Sequence, residues 1–152
     1  MGKPKKKAKT PTVNKEEILL YWIKINPLLS NKTLLNWLGD NDGQSAIIPI
    51  GETVVESYID GSKLVNYDFI WAVMFSVSED TDSTNTDSMF ELRKWQDWID
   101  EQNENGSLPD FGCGYDMHEI KNLAGMPNLA QTYENGKGKY QFPARLVYLK
   151  KQ

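Results

Sequence analysis

The sequence predicts an α+β domain, a mostly antiparallel β-sheet with helices packed on one face. Three observations carry that prediction. The periodicities along the chain run helix, strands, helix, strands, with short tight connections between them. Val65, Tyr67, Phe69, Trp71, Val73, Phe75 and Val77 recur at strict period two, which places one face of a long strand in a core. Tyr140, Phe142, Ala144, Leu146 and Tyr148 repeat that alternation near the end of the chain.

Residues 1–13 read as a flexible basic arm. Lys3, Lys5, Lys6, Lys7 and Lys9 crowd its first ten positions, Pro4 and Pro11 oppose a helix, and apolar content is almost nil. Such an arm is a solvated tail, a charge-driven contact to an acidic partner or nucleic acid, or a short import-like signal. The single domain is expected over residues 14–152. Asn14, with Glu17 three residues on, caps a first helix whose apolar face is Ile18, Tyr21, Trp22 and Ile25, and Pro27 stops it. A second short helix is expected from Lys32 to Leu38, ending at Gly39.

Ala46 to Ile50 forms a short apolar strand, placed at an edge because Pro49 cannot donate to a ladder. Val54–Ile59 and Leu64–Val77 make a hairpin around Asp60 and Gly61. Asn66 and Asp68, on the back of the second strand, give way to Ile70, Ala72 and Met74, so its middle is expected to be covered on both sides. Trp71 and Phe75 are expected to be almost fully buried. Glu79–Asp87 reads as an acidic loop. Met89, Leu92, Trp95 and Ile99 then space out a helix, capped by Asp87 or Ser88 and closed by Asn105 and Gly106. A glycine-rich turn around Gly112 and Gly114, a strand over Met117–Leu123 and a hairpin at Asn135 and Gly136 complete the domain.

The composition narrows the function. A chain of 152 residues suits one domain with a real core. No apolar run approaches the roughly 20 residues that span a bilayer, and no apolar segment follows the basic N-terminus, so neither a membrane span nor a secretory signal is expected. Cys113 is the sole cysteine, which excludes an internal disulfide framework. The net charge of −4, set against a basic arm, leaves a distinctly acidic body, poorly suited to general nucleic-acid binding.

Candidate chemistry is sparse. His118 is the only histidine, and Cys113 lies five residues away across a glycine turn. The simpler reading is a small buried thiol and a strand-surface imidazole rather than a Cys–His pair or a metal site with Asp116. Asp80 and Asp82 have the alternate spacing of calcium loops without the bending glycine or the bidentate Glu, which leaves a solvated or partner-contacting acidic loop as the alternative. Neither Gly112–Gly114 nor Gly136–Gly138 has phosphate-loop spacing. Trp95 and Trp98, three apart with Ile99 beside them, cannot both face a core squarely, so one is expected to be partly exposed, as a packing rim or an interface anchor. No cofactor and no catalytic residue is expected; the candidate interface is the arm lysines, Asp80, Asp82 and Trp98.

One ordered set of landmarks resembles a known family. Pro27, Leu28 and Leu29 follow the first helix; Tyr58 to Ser62 and Tyr67 to Phe69 come next. An aromatic-rich helix then ends in Trp98, Ile99, Gln102, Asn103, Gly106, Leu108 and Pro109, and Tyr140 to Tyr148 closes the chain. Together these resemble the minor capsid, or tail terminator, proteins of long-tailed phages and phage-tail-like particles of Gram-positive bacteria. The resemblance covers roughly residues 17–149; the basic arm is not part of that pattern. It implies a small α/β fold assembled as a six-fold ring at the head-proximal end of the tail. Such a ring stops tube polymerisation and presents a surface to the head connector. The implied partners are further copies of the chain, tail tube protein, possibly sheath protein and the connector, with DNA only as the transiting genome and no membrane. The implied location is the virion, and the host cytoplasm during assembly. The rival readings are a head-side connector or stopper, and a small module binding nucleic acid through its arm.

Overall fold

The computed structural model describes residues 12–29 and 32–152. Two helices and six strands follow in the order α1 (Lys15–Lys24), β1 (Thr33–Leu35), β2 (Ser45–Ser57), β3 (Lys63–Ser76), α2 (Asp82–Asn105), β4 (Tyr115–Asn122), β5 (Asn128–Thr132) and β6 (Lys137–Lys150). All six strands form one sheet, ordered β1-β2-β3-β6, with β4 and β5 sharing the outer side of β6. Among the described residues only the short β1–β2 pairing is parallel. The fold is the expected α+β domain.

The alternations seen in the sequence build the core. Val65, Tyr67, Phe69, Trp71 and Val73 of β3 lie beside Tyr140, Phe142, Ala144, Leu146 and Tyr148 of β6, all buried on one face. Leu19, Trp22 and Ile23 of α1 and Leu92, Trp95, Trp98 and Ile99 of α2 cover that face. Asn14 caps α1 as expected: its Oδ1 accepts from Glu17 N–H at 3.2 Å, and its amide donates to the Glu17 carboxylate at 3.0 Å. The hairpin turn also matches, with Gly61 at φ 88° and Asp60 Oδ1 accepting from Ser62 N–H at 2.9 Å. Gly106, at φ 70°, closes α2.

Several expectations are corrected. The apolar stripe of α1 is Leu19, Trp22 and Ile23, rotated so that Tyr21 and Ile25 face solvent. Trp22 fixes the rotation, since its indole N–H donates to Ser107 O at 2.7 Å. The expected helix over Lys32–Leu38 is instead strand β1. Register with Ser45–Ile47 and a buried hydroxyl pair, Thr33 Oγ1 to Ser45 Oγ at 2.6 Å, override the local helical spacing. Asn36 then ends the strand in the left-handed region, at φ 56°.

The two expected strands over 46–59 are one, because irregularities at Pro49/Gly51 and Val54/Glu56 absorb the extra residues without breaking the pairing. Pro49 is tolerated because β1 covers only Ser45–Ile47, leaving the outer side of β2 free beyond it. Helix α2 begins at Asp82 rather than at Asp87. Thr81 caps it by accepting from Ser83 N–H, and Asn85 ties the first turn to both backbone groups of Ser78.

Phe75 is only partly buried, although its ring lies 6.1 Å from that of Trp95 on α2. The back of β3 is covered over its middle, as expected: Ala72 and Met74 are buried and Ile70 is partly buried. At the centre of that back face Arg145 holds Asp68 in a bidentate pair, Nε to Oδ1 at 2.7 Å and Nη2 to Oδ2 at 3.0 Å.

Candidate interaction site

Of the residues singled out in the sequence, the described ones, Asp80, Asp82 and Trp98, do not form one site. Lys3, Lys5, Lys6, Lys7 and Lys9 lie outside the described residues. Asp80 sits in the β3–α2 connection with its N–H bound to Ser78 Oγ, and Asp82 occupies the first turn of α2, where a carboxylate complements the helix dipole. Among the described residues no three acidic, His or Cys side chains lie together as a metal site would require.

Trp98 is 6% exposed and is no surface anchor. It meets Trp22 of α1 at 4.7 Å between ring centroids, while Trp95 meets Trp71 of β3 at 4.8 Å. Sequence reasoning allowed α2 one buried surface; the helix has two, one toward the sheet and one toward α1. Cys113 is exposed, contrary to the expectation of a buried thiol, because it rides between Gly112 and Gly114 in a tight surface turn. His118 is half exposed on β4, 3.5 Å from Asp116.

A cleft of about 390 Å³ opens beside α2, lined by Arg93, Gln96, Asp97, Asp100 and Asn122. Gln96, Asp100 and Asn122 bond within its own walls. Gln96 donates to Ala124 O at 3.2 Å, and Asn122 donates to Gln96 O and to Asp100, both at 3.0 Å. No nucleophile lines it.

One partly exposed polar cluster joins α1 to the sheet. Lys15, at the start of α1, reaches Glu52 of β2 at 2.8 Å and Tyr148 of β6 at 3.1 Å, and Tyr148 donates to Glu52 at 2.9 Å. Burial works against the Lys15 charge, but the bonds to Glu52 and Tyr148 hold its pKa above the ordinary value. Burial, with Glu52 acting in the same sense, pushes Tyr148 up to about 12, against the opposing pull of Lys15. Both folded-state pKa values are raised, so the stability they confer is whole below the unfolded values near 10 and is lost as pH climbs toward 12. The expected result is a melting temperature that falls steeply above about pH 10 in the native chain and less steeply in Tyr148→Phe. Parallel curves for the two proteins would remove this cluster as the cause.

The main surface feature was not singled out in the sequence. Large apolar side chains stay in solvent although the core is complete: Tyr21 and Ile25 on α1; Leu34, Leu35 and Trp37 at β1; Val54, Val55, Tyr58 and Ile59 along the hairpin; Leu123, Met126, Leu129 and Tyr133 around β5. Trp37 is 68% exposed. Their signal was present as apolar residues left over by the periodic faces, but exposure is decided by packing that the sequence alone does not display. Among the described residues no helix is long and apolar enough to cross a membrane. No protein-family model matches the chain, and no curated protein matches it significantly in sequence.

Proposed function

We propose that this chain is an assembly protein that acts as a closed ring, a tail terminator capping the head-proximal end of a phage tail tube. The observation that carries the assembly reading is the apolar surface left in solvent by a domain whose core is already filled. The narrower tail reading rests on the ordered landmarks from Pro27 to Tyr148. The action is steric and interfacial. One face of the ring binds the last layer of tube protein, and the other offers no surface on which a further layer can grow. Repeated weak contacts around the ring become collectively tight.

Imaging of assembled particles tests this reading. The chain should form six-fold rings at the head-proximal end of the tail, with subunit interfaces of at least standard size. Three-fold or twelve-fold symmetry, or a place at the distal end, would overturn it.

The basic arm adds a salt-sensitive contact to the acidic surface of a neighbouring subunit or tail protein. Val13 packs against the core, so the arm proper ends before it. Deleting residues 1–12 should leave the melting temperature unchanged and weaken binding to tail ends. The intact chain should lose that advantage as salt is raised. Equal capping by both proteins at every salt concentration would make the arm a passive tail.

A further inference from the structure

The two uncharged edges of the sheet lie at the same height. Leu34 of β1 is in register with Ala46, Ala72, Gln141 and Asn128 of β5 across the whole width of the sheet. The next row runs Thr33, Ser45, Val73, Tyr140 and Leu129. At this level the sheet is five strands wide, and β1 and β5 are its opposite borders. β1 runs parallel to β2, and every later pairing is antiparallel, so β1 and β5 point in opposite directions.

We propose that β5 of one copy of this chain pairs antiparallel with β1 of the next, continuing the sheet from subunit to subunit. The occupant of each edge is a second copy because each border supplies what the other lacks. The bonds Lys32 O to Ser45 N–H and Asn36 N–H to Ile47 O turn the even-numbered residues toward β2. The N–H and C=O of Thr33 and Leu35 are thereby turned outward. All five residues of β5 are exposed. Neither strand carries a charge, and exposed Leu34, Leu35 and Trp37 flank one edge as Met126, Leu129 and Tyr133 flank the other.

β5 has an irregularity of its own, between Leu129 and Gln131, so what separates the remaining borders from β1 and β5 is charge and proline, which oppose strand addition. β2 beyond Ile47 carries Pro49, Glu52, Glu56 and two irregularities. β4 carries Asp116, His118, Glu119 and Lys121 and an irregularity between Met117 and Glu119. A contact between two different edges is heterologous, which is the kind that closes into rings. Because the edges share one height, joining them adds no obligatory rise along a ring axis. Ring closure rests on the proposed function; the junction itself does not.

Native mass spectrometry of the full chain, alone and in mixtures, tests this. Leu35→Pro removes the outward N–H of β1, and Leu129→Lys places a charge on β5. Each variant alone should be monomeric while the native chain forms rings. An equimolar mixture of the two should give one-to-one dimers and nothing larger, since one intact β1 and one intact β5 remain to meet. Those dimers would also show that both variants are folded. Rings that survive in both variants overturn the junction and leave the ring reading standing. Open chains of native protein that both variants dissolve support the junction and overturn the closed ring. Self-dimers of either variant, or a native chain that stays monomeric at every attainable concentration, overturn the junction.

Discussion

Trp71→Ala is expected to lower the stability of the domain by about 3–5 kcal/mol, the range for deleting a buried aromatic. Trp71 is fully buried at the crossing of the sheet's two longest ladders, opposite Ile47 on β2 and Phe142 on β6. Its ring lies 4.8 Å from Trp95, 5.3 Å from Phe142 and 6.4 Å from Trp98. Alanine would open a cavity walled by large rigid rings, which cannot collapse into it. Trp71 carries a second, opposing feature, since its indole N–H is buried with no hydrogen-bond partner among the described residues. Such a group costs about 1–3 kcal/mol, so Trp71→Phe should recover much of the loss by removing the orphaned donor. Denaturant unfolding of both variants checks the pair of effects. A Trp71→Ala protein that melts like the native chain would remove Trp71 from the centre of the fold.

Trp98→Ala is expected to cost about as much, again about 3–5 kcal/mol, but by a different route. Trp98 is the tie between the helices, resting on Trp22 while α1 bonds the chain beyond α2 through the Trp22 indole and Ser107 O. Its loss should loosen α1 before the sheet. Amide exchange in residues 15–24 should speed up more than in β3 or β6. Uniform loss of protection across the domain would show that Trp98 supports the sheet directly. If Trp98 were instead an interface anchor, the monomer's stability would not change at all.

The sequence disclosed what alternation can carry. β3 and β6 were legible because Val65–Val73 and Tyr140–Tyr148 alternate over long runs, and the C-terminal end of α2 and the turn of the hairpin were legible through Gly106, Asp60 and Gly61. β1 was not, because three residues contain too little periodicity and only the distant partner Ser45–Ile47 makes them a strand. The rotation of α1 was misread because Tyr21 and Ile25 are as apolar as the residues it buries, and the choice is made by a bond to Ser107 far along the chain. Trp98 was misread as partly exposed because a helix was given one buried face where packing between α1 and α2 supplies a second. The matched edges of β1 and β5 were not legible. Edges that share a height are a property of register, and register between β1 and β5 passes through three intervening strands that no local pattern connects.

The pairing of β3 with β6 sets the order in which the chain can fold. Residues 63–76 form the aromatic centre of the sheet, yet their longest partner is residues 137–150, and the ion pair between Asp68 and Arg145 spans 77 positions. Closing so long a loop must precede the reward from burying Trp71 and Phe69, and such non-local sheets fold in milliseconds to seconds rather than microseconds. During synthesis β3 leaves the ribosome well before β6, so its apolar face waits with only β2 and the helices for cover. A newly made copy therefore passes through a stage in which another copy's β6 could take the place of its own, and crowded synthesis at one site favours that exchange.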